Sequence, residues 1–212
     1  MSARPVSVHS VSSILLLASV ALAGIGAPAG AQGYLGAAAG AYLPGDKDQD
    51  RTEVYGLRGG YRFRPSLGLE ASLSKVDLAS TIPPEDQPPI PLFHFDLQLD
   101  LYNLDLSLQW LPRDGHLVIF GGPGVAQLRA KSEVTFLGMT FSDSTNSNIF
   151  TAHAGAAYTW QVHDRFFIRP EARVRRYFDK DINQTGFQEG LAVSYKQTDY
   201  EANVIFGWRF GS

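Results

Sequence analysis

In "FIRPEARVRR", Arg169, Glu171, Arg173 and Arg175 alternate with Ile168, Pro170, Ala172 and Val174. Successive side chains of an extended strand point to opposite faces, so this spacing gathers three guanidinium groups and one carboxylate on one side. Four charges cannot line a dry soluble core without partners. They can line a narrow polar interior and pair with carboxylates across it. The same parity rule supplies the partners: Glu70, Asp105, Asp199 and Glu201 fall on the polar faces of their own segments, and Arg58 and Arg62 join them. The chemistry expected of these ten residues is ion pairing within a lumen. The competing reading places them on the solvated face of an ordinary sheet.

Other candidate chemistry dissolves on inspection. In "DKDQD", Asp46, Asp48 and Asp50 have the spacing that opens a calcium loop, but the sixth and twelfth positions hold Arg51 and Leu57 where an EF-hand needs Gly and Glu. A solvated external loop is expected there, with no metal. His94, His116, His153 and His163 are scattered singly, and no pair has zinc-ligand spacing. Gly155 stands two residues after His153 where a serine would suggest a nucleophile, so no catalytic residue and no enzyme is expected. "GGPG", Gly121 to Gly124, sits inside a strand pattern and opens no helix, which suits relief of curvature or close approach of a neighbouring strand rather than phosphate binding. "NQT" at Asn183 matches a glycosylation acceptor. Nothing asks for a cofactor.

The elements that must position these residues are strands. The chain has 212 residues, no cysteine, a net charge of -3 and 12% aromatic residues. Without clustered Lys and Arg there is no footprint for nucleic acid. Residues 1–31 read as an export signal: Arg4 at the start, "ILLLASVALAG" as the apolar core and "APAGA" as the cleavage site. Residues 32–212 then form one domain. Period-2 alternation recurs eight times, over residues 33–43, 53–63, 67–78, 93–111, 116–129, 148–162, 166–178 and 191–210. Three connections, "RPS", "PRDG" and "HDR", are tight. Four, "PGDKDQD", "ASTIPPEDQPPIPL", "AKSEVTFLGMTFSDSTN" and "DKDINQTGFQEG", are long, and short and long alternate. In an up-and-down barrel all short turns then fall on one rim and all long loops on the other, as in outer-membrane barrels. The expected fold is all-β: an eight-stranded antiparallel up-and-down transmembrane barrel behind a cleavable signal peptide.

"FHFDLQLDLYNLDLSLQW" carries a change of phase. Phe93, Phe95, Leu97, Leu99 and Leu101 are odd-numbered; Tyr102, Leu104, Leu106, Leu108 and Trp110 are even-numbered. A tilted membrane strand spans about 9 to 11 residues, so with Trp110 near the periplasmic rim the other interface falls near Tyr102. Below that level lipid selects an apolar outer face; above it water selects a polar one. The alternative is a β-bulge near Leu101. Leu67, Leu69, Ala71 and Leu73 giving way to Val76 and Leu78, and Leu191, Val193 and Tyr195 preceding the even set from Tyr200 to Phe210, point to the shared cause. Tyr102, Trp110, Tyr200, Trp208 and Phe210 are the expected interface aromatics. Phe95, Leu97, Leu99, Val193 and Tyr195 would line an apolar external cup.

With the signal, the eight strands, "FIRPEARVRRYF" and "ANVIFGWRF", the chain resembles the small outer-membrane β-barrel proteins of the OmpA and OmpX type. The resemblance implies a bacterial outer-membrane location, contact with outer-membrane lipid and with the barrel-insertion machinery, and a terminal aromatic insertion signal matched by Phe210. The function expected is non-enzymatic: envelope structure or surface interaction with an external partner through long loops, around a charged, plugged lumen. The alternatives are a small passive pore and a soluble lipocalin-like barrel binding an apolar ligand. N-terminal sequencing of the protein from the outer-membrane fraction is expected to begin at Gln32; a retained Arg4 would contradict the cleavable signal.

Overall fold

The computed structural model describes residues 32–45, 51–80, 93–112, 116–136, 139–178, 181–182, 193–194 and 197–211. The export signal, Asp46, Asp48, Asp50, Asn183, Leu191 and Tyr195 lie outside them. Among the described residues eight long strands follow one another: β1 (Gln32–Leu43), β2 (Thr52–Arg64), β3 (Leu67–Ser80), β4 (Phe93–Trp110), β5 (Leu117–Phe136), β6 (Met139–Tyr158), β7 (Phe166–Tyr177) and β8 (Thr198–Phe210). Trp160–Gln161 prolongs β6 along β7 in an unchanged register. Each strand pairs antiparallel with its sequence neighbours, and β8 pairs with both β7 and β1. The sheet is thereby closed and has no edge over its central band.

Closure fixes the strand tilt. Following paired residues around the wall leads from Gly33 through Tyr61, Leu69, Leu108, Gly121, Ala154, Val174 and Tyr200 to Leu43. The circuit returns to β1 ten residues above its start (43 minus 33). For eight strands a stagger of that size corresponds to a tilt of about 40° and leaves an interior just wide enough for side chains.

The wall has an apolar outside. Leu35, Leu57, Leu106, Leu108 and Phe206 each keep more than half of their surface exposed and form part of a continuous outward set. A soluble barrel would leave such a band in water, whereas lipid is its natural solvent. Inside, Tyr42, Val54, Val76, Leu101, Ala126, Ile149 and Tyr177 form a buried apolar layer toward the long-loop end, with Leu78 and Leu128 packed on it. Smaller clusters lie toward the short-turn end: Leu111, Val118, Phe120 and Ala157, and Ala38, Phe167 and Ile205 with Tyr34.

The phase change in β4 occurs without a bulge. Pairing with β3 runs unshifted from Leu67 opposite Trp110 to Ser80 opposite Leu97, and pairing with β5 keeps one register from Trp110 up to Phe93. Leu101 is therefore inside, level with Val76, while Leu106 and Leu108 are outside on the same regular strand. The irregularity that does occur is in β2, between Arg62 and Arg64.

Two expectations are corrected. Residues 130–146 do not form a long loop: β5 and β6 run on as a ladder, from Ala130 opposite Thr145 to Phe136 opposite Met139. Both faces of this ribbon meet water, so it lacks the apolar alternation that marks a half-buried strand. Its Thr, Val and Phe content is the remaining strand signal. The second correction concerns β8, which begins at Thr198 rather than residue 191. Val193–Ser194 pairs separately with Asp181–Ile182, so the parity of β8 does not extend through it. With β3 and β4 also extended, the wall rises furthest over β3 to β6.

The absence of cysteine makes the lipid boundary testable. Single cysteines at Leu106→Cys and Leu108→Cys should resist a membrane-impermeant maleimide on intact cells, while Gln98→Cys and Lys131→Cys should react. Equal reactivity at all four sites would mean that water bathes the whole outer wall.

Candidate functional site: the charged lumen

Between the apolar layers, inward positions of six strands meet. β7 contributes Arg169, Glu171, Arg173 and Arg175, all buried, because every second residue of an unbroken strand faces the lumen. Buried Arg58 from β2, Glu70 and Ser72 from β3, Asp105, Ser107 and Gln109 from β4, His153 from β6 and Glu201 from β8 face them.

Asp105 is the most heavily engaged carboxylate. Arg175 grips it with both terminal nitrogens, Nη1 to Oδ1 at 2.5 Å and Nη2 to Oδ2 at 2.9 Å. Arg173 donates to Oδ2 at 2.6 Å, and the Ser72 hydroxyl donates to the same oxygen at 3.0 Å. Arg175 also binds Glu201 through Nε at 3.1 Å and Nη2 at 3.0 Å, so it bridges β4 and β8. Arg173 reaches Glu171 at 3.0 Å. Lower down, Arg169 pairs with Glu70 and donates to the Tyr34 hydroxyl at 3.0 Å. Tyr34 itself donates to Glu70, and Gln109 donates to Glu70 at 2.9 Å and to Tyr34 at 2.8 Å. Arg58 stands further off, 3.7 Å from Glu171. Four guanidinium groups thus face four carboxylates, and bidentate contacts of the Arg175 type are the strongest ion-pair geometry.

Small residues make room for this network. A Cβ on Gly124 of β5 would lie 2.3 Å from Asp105 Oδ1 and 2.7 Å from Thr151 Oγ1. The "GGPG" segment therefore stays within a strand and lets a neighbour's carboxylate approach. A Cβ on Gly60 would fall 2.3 Å from the Tyr34 ring, which lies across that position.

Of the ten residues expected to form a network, eight are joined. Arg62 sits half-buried at the short-turn end, and Asp199 sits at the opposite end, accepting from the Tyr42 hydroxyl and, at 2.8 Å, from the Gly45 amide. Tyr34, Gln109, Ser72 and His153 take part and were not assigned to the network by sequence. Their inward parity was readable, but neutral polar side chains are also common on solvated faces. Of the cup residues, Leu99 is half-buried, Val193 belongs to the short separate strand, Tyr195 lies outside the described residues, and the side chains of Phe95 and Leu97 lie outside them too. The apolar interior that is seen uses Tyr42, Val54, Val76, Leu101, Ile149 and Tyr177 instead.

The interface aromatics divide between two levels. Trp110, Trp208 and Phe210 are exposed near the short turns, and Tyr200 is exposed and Tyr102 half-buried near the other boundary. Phe166 meets Trp208 edge-on at 4.5 Å, and Trp160 meets Tyr158 at 5.6 Å, extending the lower belt.

One further arrangement was not legible in the sequence. Ser107 Oγ lies 2.7 Å from His153 Nε2, and His153 Nδ1 lies 3.6 Å from Asp105 Oδ1, the order of a Ser-His-Asp triad. Ser and His stand on different strands, so no local motif links them. Asp105 is already held by two guanidinium groups, and both Ser107 and His153 are buried. A cavity at the short-turn end reaches Gln109 and Tyr34 but is not lined by Ser107 or His153. The trio thus reads as part of the packed network.

A family model described as the outer membrane protein beta-barrel domain matches residues 14–210. Among solved structures, a major outer membrane protein from Thermus thermophilus superposes with a TM-score of 0.56 at 13% identity, covering 85% of this chain and 99% of that one. Ail, the attachment invasion locus protein of Yersinia pestis, gives a TM-score of 0.49 at 12% identity, covering 85% and 97%. At such identities the likeness is one of fold. No curated protein sequence matches the chain.

Removing Asp105 leaves four guanidinium groups facing three carboxylates, with Arg173 held by Glu171 and Glu70 and Arg175 by Glu201. Breaking a buried pair costs about 3–5 kcal/mol, so Asp105→Ala should lower the urea midpoint of the refolded barrel accordingly, while Asp105→Ala with Arg173→Met, which restores the charge balance and keeps the Arg175–Glu201 pair, should recover much of the loss. A midpoint unchanged by Asp105→Ala would show that the lumen charges are not coupled to folding.

Proposed function

The chain belongs to the outer membrane protein β-barrel family and resides in the outer membrane, and from that premise we propose that it works without catalysis, as an envelope barrel with a sealed lumen and a raised outer wall. The observation that carries the sealed reading is the balanced charge layer, four guanidinium groups against four carboxylates, lying between apolar clusters. An ion crossing it would have to displace bidentate contacts and then pass the layer of Tyr42, Leu101, Ile149 and Tyr177, whose buried carboxylate, Asp199, is already engaged by the Tyr42 hydroxyl and the Gly45 amide.

The outer wall supports the second half of the reading. β5 and β6 continue well past the level of Tyr102, and residues 139–146 are exposed throughout, Met139 and Phe141 included. A rigid ladder holds such side chains in a fixed array, which suits surface interaction better than a loop of the same length. Lipid contacts the outward apolar band, and the exposed aromatics sit at its margins. During biogenesis the barrel-insertion machinery is the expected partner. The outward apolar face argues against the soluble lipocalin-like alternative.

Reconstitution into planar bilayers separates a sealed barrel from a passive pore. The wild-type protein should give no porin-like stepwise conductance. Reproducible large steps from the native, heat-modifiable form would refute the sealed lumen.

A further inference from the structure

The short-turn end of the lumen is built differently from the balanced layer above it. A cavity of about 30 Å³ opens there, lined among others by Arg62, Arg169, Arg209, Tyr34, Gln109 and Thr159. Arg62 and Arg209 are half-buried at the ends of β2 and β8, and among the described residues neither guanidinium group has an ion-pair or hydrogen-bonding partner. Arg209 instead lies 5.4 Å over the Phe167 ring, which holds its head toward the mouth. Arg169 forms the floor: its terminal nitrogens are spent on Glu70 and Tyr34, but its buried Nε has no hydrogen-bond partner.

Three guanidinium groups converging on one cavity, with Glu70 behind the floor already shared, leave an excess of positive charge and unused N–H donors. Planar guanidinium forks match oxyanions through paired hydrogen bonds. We propose that this mouth binds a phosphate-class oxyanion from the periplasmic side. The volume exceeds the roughly 10–15 Å³ that one water needs, so it admits an oxygen-bearing edge of the anion while the rest remains outside, between Arg62 and Arg209. This site is separate from the sealed-lumen reading: a conducting barrel could carry it, and a sealed one could lack it.

The test uses the mature barrel in zwitterionic nanodiscs, titrated with inorganic phosphate at constant ionic strength against sodium chloride. Calorimetry and intrinsic fluorescence read it out, since all three tryptophans, Trp110, Trp160 and Trp208, lie at this end. Saturable phosphate binding is expected. It should weaken at least about tenfold in Arg62→Gln with Arg209→Gln, and stay unchanged in Arg129→Gln at the opposite end. Should the double variant lose its heat-modifiable form, the two single variants are titrated instead. Nanodiscs of phosphatidylglycerol distinguish the sources: loss of the phosphate titration there assigns the site to a lipid headgroup, and its persistence assigns it to a free anion. Unsaturable binding by the wild type, or equal binding by folded variants lacking Arg62 and Arg209, overturns the proposal.

Discussion

The burial of four guanidinium groups inside a tube about one side chain wide is the constraint on which this barrel depends. Arg58, Arg173 and Arg175 have no route to water within the charge layer, and Arg169 meets only the small cavity at the short-turn end, so each needs a carboxylate at hydrogen-bonding or near range. The carboxylates come from β3, β4, β7 and β8, and only the closed sheet brings those strands around one axis. Asp105 and Arg175 are 70 residues apart in sequence yet bidentate in space. Ion pairs of this kind are weak sources of net stability, because desolvation offsets most of the Coulomb gain.

Their larger effect is on register. Sliding β7 by one residue would turn Arg169, Arg173 and Arg175 into the lipid and bring Ile168, Ala172 and Val174 inside. An arginine on the lipid face costs about 2–4 kcal/mol near the midplane and about 0–1 kcal/mol near the interfaces, so with Arg175 beside the level of Tyr200 the three together disfavour the slip by several kcal/mol, a large share of the stability of a small domain. The charges thus hold the register that produces the outward aromatic belts and the stagger of ten residues. Small inward residues belong to the same solution: Gly124 and Gly60 leave the space that Asp105 and Tyr34 occupy.

Two solvents shape the outside. Where the wall meets lipid, its outward residues are apolar; where β3 and β4 continue beyond it, Val76, Leu78, Leu99 and Leu101 turn inward, with no break in hydrogen bonding. The strand does not change its geometry at that level. What changes is the medium on its outer side, and the residue pattern records it.

Much of this was readable from residue order. Period-2 alternation marks strands because side-chain direction is a local property of extended backbone, and the charged parity of β7 declared a polar interior for the same reason. The inversion in β4 was visible as a shift from odd to even, and the unbroken register distinguishes it from a bulge. The ladder of residues 130–146 was not visible, since a ribbon wetted on both faces has no alternating polarity to betray it. Nor could order alone show that Tyr34, Gln109 and His153 join the network, that Arg62 falls outside it, or that Ser107 sits against His153. Those facts depend on which heights of different strands coincide. That alignment follows from the stagger of the closed sheet, a property of the circuit that no single segment contains.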